Sequence, residues 1–144
     1  GKAVELAMAD FVPRNERVRA LRDRLIQGLL QIPYSRLNGD PVQRLPGNVN
    51  VGFEFIEGES LLISLDLKGI AASTGSACAS GSLDPSHVLL AIGQPHEIAH
   101  GSLRLSLSDQ NTAEEVDQVI RELKPIVERL RAMSPLYADF IAKK

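Results

Sequence analysis

The amino-acid sequence predicts a small α/β domain of the α+β type, with an antiparallel or mixed sheet of about three strands and helices packed on one face. Two periodicities support this prediction. Apolar and polar residues alternate over 49–55 and 103–107, as in half-buried strands. Apolar residues recur every three or four positions over 15–32 and 116–130, as in amphipathic helices. Helices and strands therefore intermingle along the chain, and the strands are close enough in sequence to pair antiparallel.

The N-terminal region is predicted to contain two helical pieces. Residues 2–10 form the first and residues 15–32 the second, and Pro13 between them should kink or break the chain. The first piece has few apolar partners nearby in the sequence. It is therefore expected to pack against something outside this chain.

The other elements are predicted mainly from their boundary residues. Residues 59–68 form a helix that Gly69 closes, and residues 70–73 are a short strand candidate. Asp84 as N-cap, followed by Pro85 at the first position, begins a further helix that ends before Gly93. A capping box, Thr112-Ala113-Glu114-Glu115, begins the most regular helix.

Composition narrows the classes of function. The 144 residues are 44% apolar and 24% charged, which is typical of an ordinary soluble domain with a real core. A net charge of −2 and the lack of Trp disfavour nucleic acid as a partner. No apolar run approaches the roughly 20 residues that span a bilayer, so no membrane association is expected. A single cysteine forms no internal disulfide, which favours a reducing, cytoplasmic setting.

Cys78 is the candidate catalytic residue. It lies in a run of small residues, 73–82, which lacks a side chain large enough to anchor it in a core, so we expect an exposed, mobile loop. Thiolate chemistry needs such access and a lowered pKa, and the helix that begins near Pro85 offers a positive N-terminal end. The alternative is a small buried cysteine with a structural role.

Arg104 is the candidate substrate-binding residue. It alternates with Leu103 and Leu105, so its side chain is predicted to lie on the polar face of a strand. A guanidinium offers two parallel donors that match the two oxygens of a carboxylate. The alternative is an ordinary surface arginine.

The histidines do not predict a metal site. His87, His96 and His100 are the only three in the chain, and with Cys78 they are the conceivable ligands. No pair of them has a tight zinc-binding spacing, and only one thiol is present. We therefore expect no resident metal.

Several motifs together resemble the C-terminal part of cysteine desulfurases of the NifS and IscS kind. In chain order they are Leu45–Asn50, Glu57–Leu62, Ser73–Cys78, Leu83–Leu89, His100–Leu107 and Arg129–Leu136. The similarity covers almost the whole chain. Its most specific parts are the Cys78 loop and the Arg104 strand.

The resemblance implies a pyridoxal-phosphate enzyme of aminotransferase fold type I. Such an enzyme takes sulfur from L-cysteine and leaves L-alanine and a persulfide on a mobile-loop cysteine, whose position Cys78 occupies. Arg104 falls where the family binds the substrate carboxylate. The resemblance further implies a cytoplasmic homodimer that passes sulfur to an iron–sulfur scaffold or another acceptor protein, with Cys78 as a conceivable transient cluster ligand.

The family also implies a second, larger domain that holds the cofactor through a lysine in a His-Lys-x-x-Gly-Pro-like setting. The lysines of this chain are Lys2, Lys68, Lys124, Lys143 and Lys144, and none has that setting. No cofactor-binding residue is therefore expected in this chain, and the isolated chain should be inactive. Residues 1–12 are expected to be the end of a helix that links to the missing domain, and residues 13–144 to be the small domain.

Two departures from the family pattern bear on partners and mechanism. Ser108 stands where many relatives have Gly, a small change close to Arg104. The chain ends at Lys144, soon after the last motif, which favours a short NifS-like ending over an IscS-like tail that binds the scaffold. Two other functions remain open: a selenocysteine lyase or another class V aminotransferase relative, and a non-catalytic interaction domain in which Cys78 is structural.

Overall fold

The computed structural model describes residues 1–75 and 85–144. Within these ranges the chain forms seven helices and three strands, in the order α1 (Lys2–Ala9), α2 (Phe11–Leu29), β1 (Ser35–Leu37), β2 (Asn48–Phe53), α3 (Gly58–Asp66), α4 (His87–Ala91), α5 (His96–Ala99), β3 (Ser102–Ser106), α6 (Ala113–Ala132) and α7 (Pro135–Ala142). Among the same residues, no helix has both the length and the apolar character needed to span a membrane. Helices combined with a small three-stranded sheet confirm the predicted fold class.

The described part of the sheet has the order β1-β2-β3, and both pairs are antiparallel. Asn48 lies opposite Ser106 and Gly52 opposite Ser102, so every residue of β3 pairs with β2. The strand predicted over 70–73 is wrong, because within it only Ser73 forms a bridge, which pairs with Arg104 at the outer edge of β3.

Strand β1 was not predicted, and β2 is shorter than predicted. Three residues are too few to show an alternation, so β1 leaves no periodic signal in the sequence. The prediction that this strand extends to Phe55 is wrong. Phe55 has a φ of 69°, in the left-handed region, which is incompatible with extended backbone and turns the chain after Phe53.

The break between the first two helices lies at Asp10, upstream of the predicted position at Pro13. A proline clashes with the carbonyl group four residues before it, which here belongs to Ala9, the last residue of α1. Pro13 itself lies in the first turn of α2, where a missing N–H group has little consequence.

The predicted start of the helix near residue 84 is also wrong. The helix α4 begins at His87 with Ser86 at the N-cap position, and Asp84 lies outside the described residues. Ser86 has a ψ of 120°, which is not helical, so Pro85 precedes the helix and is not its first residue. The predicted end is confirmed, since Gly93 follows the helix with a φ of 84°.

The core lies between the sheet and the three helices α2, α3 and α6. Its fully or almost fully buried members are Leu25, Leu29, Val49, Val51, Phe53, Leu61, Leu65, Leu103, Leu105, Val116, Leu123 and Val127. Alternate residues of β2 and β3 therefore face these helices, as the period of two predicts. The short helix α5 touches the opposite face, where Ile98 lies close to Gly52.

The capping box at the start of α6 is confirmed. The Glu115 N–H donates to Thr112 Oγ1 (3.2 Å), and the Thr112 N–H donates to Glu115 Oε2 (3.0 Å). The side chain of Asn111 donates to the same carboxylate oxygen, and these bonds lower the pKa of Glu115. The helix N-terminus is thus fixed directly after β3.

Arg131 connects the C-terminal end of α6 with the turn before β1 and the turn after β2. Its guanidinium, in a side chain only 4% exposed, donates to the carbonyl oxygens of Pro33 (2.7 Å), Glu54 (3.0 Å) and Tyr34 (3.1 Å). Tyr34 has a φ of 54° and lies at the start of β1, whereas Glu54 follows β2. Burial lowers the pKa of Arg131, yet an arginine remains charged in proteins. One side chain therefore stabilises the end of the β1–β2 pair at which Ser35 lies opposite Phe53.

We predict that Arg131→Ala lowers the free energy of unfolding of this chain by about 3 kcal/mol, because it leaves three carbonyl groups without their charged donor. Arg121→Ala is the matched control, since Arg121 is exposed on the same helix; it should change stability by less than about 0.5 kcal/mol. Urea unfolding followed by circular dichroism measures both. Equal effects of the two substitutions would contradict the role assigned to Arg131.

Candidate functional site

Four residues from four neighbouring segments form a row across the polar face of the sheet. Asn50 of β2 lies opposite Arg104 of β3, and Ser73 pairs with Arg104 on its other side. The backbone N–H of Asn38, just after β1, donates to the carbonyl oxygen of Asn50 (2.9 Å). We call Asn38, Asn50, Arg104 and Ser73 the polar row.

Arg104 has the position that the sequence predicted. Its side chain is exposed, whereas Leu103 and Leu105 beside it are buried in the core. Its backbone is fixed by two bonds to Ser73, with N···O distances of 2.6 Å and 3.0 Å. Within residues 1–75 and 85–144, no carboxylate lies at ion-pair distance from its guanidinium. This geometry leaves the guanidinium available to an external carboxylate.

Sequence reasoning missed the two asparagines of the polar row. Asn38 is only 4% exposed, and its Nδ2 donates to Oδ1 of Asn50 (2.8 Å). The Oδ1 atom of Asn38 is buried and has no hydrogen-bond partner among the described residues. The alternation in β2 contains a signal for Asn50, because it lies on the face opposite Val49 and Val51. Nothing local in the sequence indicates Asn38.

Arg44, on the segment that leads to β2, supports Asn38. Arg44 donates through Nη2 to the carbonyl oxygen of Asn38. Burial lowers the pKa of Arg44, and the nearby positive charge of Arg22 lowers it further. Arg22 is itself buried and pairs with Asp23 (2.7 Å). The backbone of Asn38 is thus held by β2 on one side and by Arg44 on the other.

Residues 73–75 lead from the polar row towards Cys78. The Ser73 hydroxyl donates to the carbonyl oxygen of Gly75 (2.8 Å), and Thr74 packs beside Gly58 at the start of α3. The Gly58 N–H in turn donates to the carbonyl oxygen of His100 (2.9 Å), just before β3. Cys78 lies outside the described residues, so its reactivity and exposure stay predictions.

The remaining sequence candidates do not converge on the polar row. The rings of His96 and His100 contact each other with centroids 4.7 Å apart. In the part of the chain that the structure describes, no three His, Cys, Asp or Glu side chains are placed to hold a metal ion. Lys68 pairs with Glu122 (3.1 Å), and none of the chain's lysines belongs to a described strand. Strands β1, β2 and β3 therefore contain no lysine that could bind a pyridoxal cofactor, and the expectation that another domain supplies this lysine stays a prediction.

Comparisons of this chain with known proteins all find members of related families. Residues 1–119 match the family described as aminotransferase class-V. The cysteine desulfurase IscS of Methanosarcina thermophila is 63% identical, over 94% of this chain and 34% of its own length. The cysteine desulfurase NifS of Azotobacter vinelandii is 50% identical, over 96% of this chain and 35% of its own length.

A solved structure named as a NifS-like protein superposes with a TM-score of 0.77 at 30% sequence identity. The superposition covers 90% of this chain and 32% of that chain. The chain thus spans about a third of the length of the relatives that it matches.

We predict that Gly58→Ala lowers the free energy of unfolding by about 1–2 kcal/mol, because the added methyl group would lie 2.8 Å from Thr74 Cγ2 and 2.9 Å from the His100 carbonyl oxygen. Gly75→Ala is the control, since a methyl group there meets no described atom within 4 Å. Urea unfolding of both variants compares them. A Gly58→Ala variant as stable as Gly75→Ala would show that this contact does not constrain the segment that leads to Cys78.

Proposed function

This chain belongs to the class-V aminotransferase family, and on that premise we propose that it is the C-terminal domain of a pyridoxal-phosphate-dependent cysteine desulfurase. The complete enzyme converts L-cysteine to L-alanine and transfers the sulfur atom to Cys78 as a persulfide. Relatives named as cysteine desulfurases match nearly all of the chain at 50–63% identity, which supports this proposal. The single structural observation that carries it is the exposed guanidinium of Arg104, which has no carboxylate partner among the described residues.

Arg104 binds the α-carboxylate of L-cysteine in this proposal. Its two parallel N–H donors match the two carboxylate oxygens, and its backbone is held in register by Ser73. Because the backbone of Arg104 is already fixed, only conformational entropy of its side chain is lost when the substrate binds. This smaller entropy loss increases the affinity for the substrate. The substrate is thereby oriented on the polar face of the sheet.

Cys78 receives the sulfur atom. Its thiolate attacks the sulfur of the substrate, an S–S bond forms and the C–S bond breaks, so that L-cysteine and one thiol give L-alanine and one persulfide. Cys78 is five positions after Ser73, and an extended chain spans at most about 3.6 Å per residue, so at most about 18 Å of chain joins Cys78 to the residue that pairs with Arg104.

The cofactor is held outside this chain in the proposed enzyme. Pyridoxal phosphate, when bound, serves as the electron sink that makes the bonds of an amino acid labile. In this proposal the larger domain supplies its lysine, since none of the five lysines of this chain has the His-Lys-x-x-Gly-Pro-like setting that the family implies. The contribution of this chain is to bind the substrate carboxylate and to accept the sulfur.

Helix α1 supports the proposal that residues 1–12 join a larger domain. None of its residues is buried, and Val4, Leu6 and Met8 are 65%, 58% and 60% exposed. Val4 and Met8 are four residues apart and share one face of the helix, and a contiguous exposed apolar face commonly marks a surface that packs against a partner. Residues 13–144 then form the small domain of the enzyme.

The remaining parts of the proposal concern the setting of the enzyme. We infer a cytoplasmic homodimer that delivers the persulfide sulfur to an iron–sulfur scaffold or another acceptor protein. The single cysteine is consistent with a reducing compartment, because it has no partner in the chain for a disulfide.

We predict that Arg104→Ala lowers kcat/KM for L-cysteine at least about 100-fold in the full-length enzyme, mainly through a higher KM, because the substrate carboxylate loses its charged partner. Arg36→Ala is the matched control: Arg36 is an exposed arginine on the same face of the sheet, opposite Gly52. It should change kcat/KM less than about threefold. Steady-state assays of alanine release measure both, and similar values for the two variants would contradict the role of Arg104.

We predict that mass spectrometry of the full-length protein after treatment with L-cysteine finds one additional sulfur atom on Cys78, and that Cys78→Ser abolishes both this modification and turnover. The isolated chain with pyridoxal phosphate is the negative control and should release no alanine. Absence of the persulfide during turnover would favour a structural role for Cys78. Faster alanine release from L-selenocysteine than from L-cysteine would favour a selenocysteine lyase.

A further inference from the structure

We propose that Asn50 is a second carboxylate-binding residue of the substrate site, beside Arg104, and that Asn38 positions it. This inference rests on the proposed function, because it assigns a further contact to the same substrate. It is carried by three observations: the pairing of Asn50 with Arg104, the bond between the two asparagine side chains, and the unpaired buried oxygen of Asn38.

Asn50 and Arg104 are close neighbours on the polar face. Both backbone groups of Arg104 bond to Ser73, so Arg104 forms a non-hydrogen-bonded pair with Asn50. In such antiparallel pairs the two Cβ atoms are about 4.5–5.5 Å apart, the closer of the two arrangements. A ligand held by the guanidinium of Arg104 is therefore within reach of the Asn50 amide.

Asn38 determines which end of the Asn50 amide is available to a ligand. Its Nδ2 donates to Oδ1 of Asn50 (2.8 Å), which occupies the acceptor end of that amide. The Nδ2 of Asn50, with two N–H donors, has no hydrogen-bond partner among residues 1–75 and 85–144. The polar row thus presents donors from both Asn50 and Arg104.

The hydrogen-bond donors of Asn50 and Arg104 favour a carboxylate as the ligand. An ionised carboxylate has about four lone-pair sites, of which a bidentate guanidinium uses two. An amide N–H beside the guanidinium can bond to a remaining site, and hydrogen bonds to charged acceptors are stronger than those between neutral groups. A neutral amide also leaves the positive charge of Arg104 unopposed, whereas an acidic residue at position 50 would pair with it.

The unpaired oxygen makes Asn38 a costly residue at this buried position. Asn38 is 4% exposed, and its Oδ1 has no partner among the described residues. Buried polar atoms without a partner are destabilising and rare in native proteins. An apolar residue would avoid this cost but would no longer donate to Asn50. Among the described residues, the bond to Asn50 is the one hydrogen bond of the Asn38 side chain that offsets this cost.

The test uses the full-length enzyme with pyridoxal phosphate bound and two ligands. L-Alanine, the product, has the α-carboxylate, whereas cysteamine is L-cysteine without it. Their dissociation constants are measured from the change in cofactor absorbance on titration. Asn50→Ala should weaken binding of L-alanine about tenfold and leave binding of cysteamine within twofold, because one charge-assisted hydrogen bond is lost.

Asn48→Ala is the matched control. Asn48 lies two residues from Asn50 on the same strand and face but opposite Ser106, so its replacement should change neither dissociation constant more than twofold. Asn50→Ser tests the same point in a variant that keeps a small polar side chain, and it should fall between Asn50→Ala and the unchanged enzyme. Asn38→Ala should reproduce part of the selective loss for L-alanine, which a general loss of stability would not produce.

The outcomes separate this inference from the proposed function. If Arg104→Ala leaves L-alanine binding unchanged, the proposed substrate site is wrong. If Arg104→Ala weakens L-alanine binding but Asn50→Ala does not, only the role of Asn50 is wrong. Equal weakening of L-alanine and cysteamine by Asn50→Ala would also overturn it, because the contact would then not be to the carboxylate.

Discussion

The antiparallel pairing of β2 with β3 decides which face of the sheet each of their side chains occupies. It places Val49, Val51 and Leu103 towards the helices, and it leaves Asn50 and Arg104 on the opposite face. A shift of one residue in this register would exchange the two faces, bury the guanidinium and expose the leucines. The burial of the core therefore also determines where the candidate substrate site lies.

Close approach of backbone segments around this sheet keeps the site compact. Gly101, just before β3, lies so near the carbonyl oxygen of Phe53 that any Cβ atom there would overlap it. The Phe53 N–H donates to the Gly101 carbonyl oxygen (2.9 Å) at the same place. Gly58 allows a similar approach of Thr74 at the start of the segment that leads to Cys78. Because Gly58 and Gly101 have no side chains, the backbone segments between the core and the candidate site lie in direct contact.

Sequence reasoning was successful where a signal is periodic and local. The alternation around Arg104 correctly assigned its face, because a strand repeats every two residues. It failed for β1, where Ser35–Leu37 is too short to show a pattern. It also missed Asn38 and Arg131, because their roles come from segments that are distant in sequence and that only the fold brings together. The position of Cys78 lies outside the described residues, and its role still rests on the motif.

In the proposed enzyme, Arg104 holds the carboxylate of the amino-acid substrate on the polar face of the sheet. A crystal structure of the full-length enzyme with L-alanine bound would show this contact. We expect both carboxylate oxygens within about 2.7–3.2 Å of the Arg104 guanidinium nitrogens. A carboxylate bound by other residues, with Arg104 paired to an acidic side chain of the protein itself, would show that Arg104 does not bind the substrate.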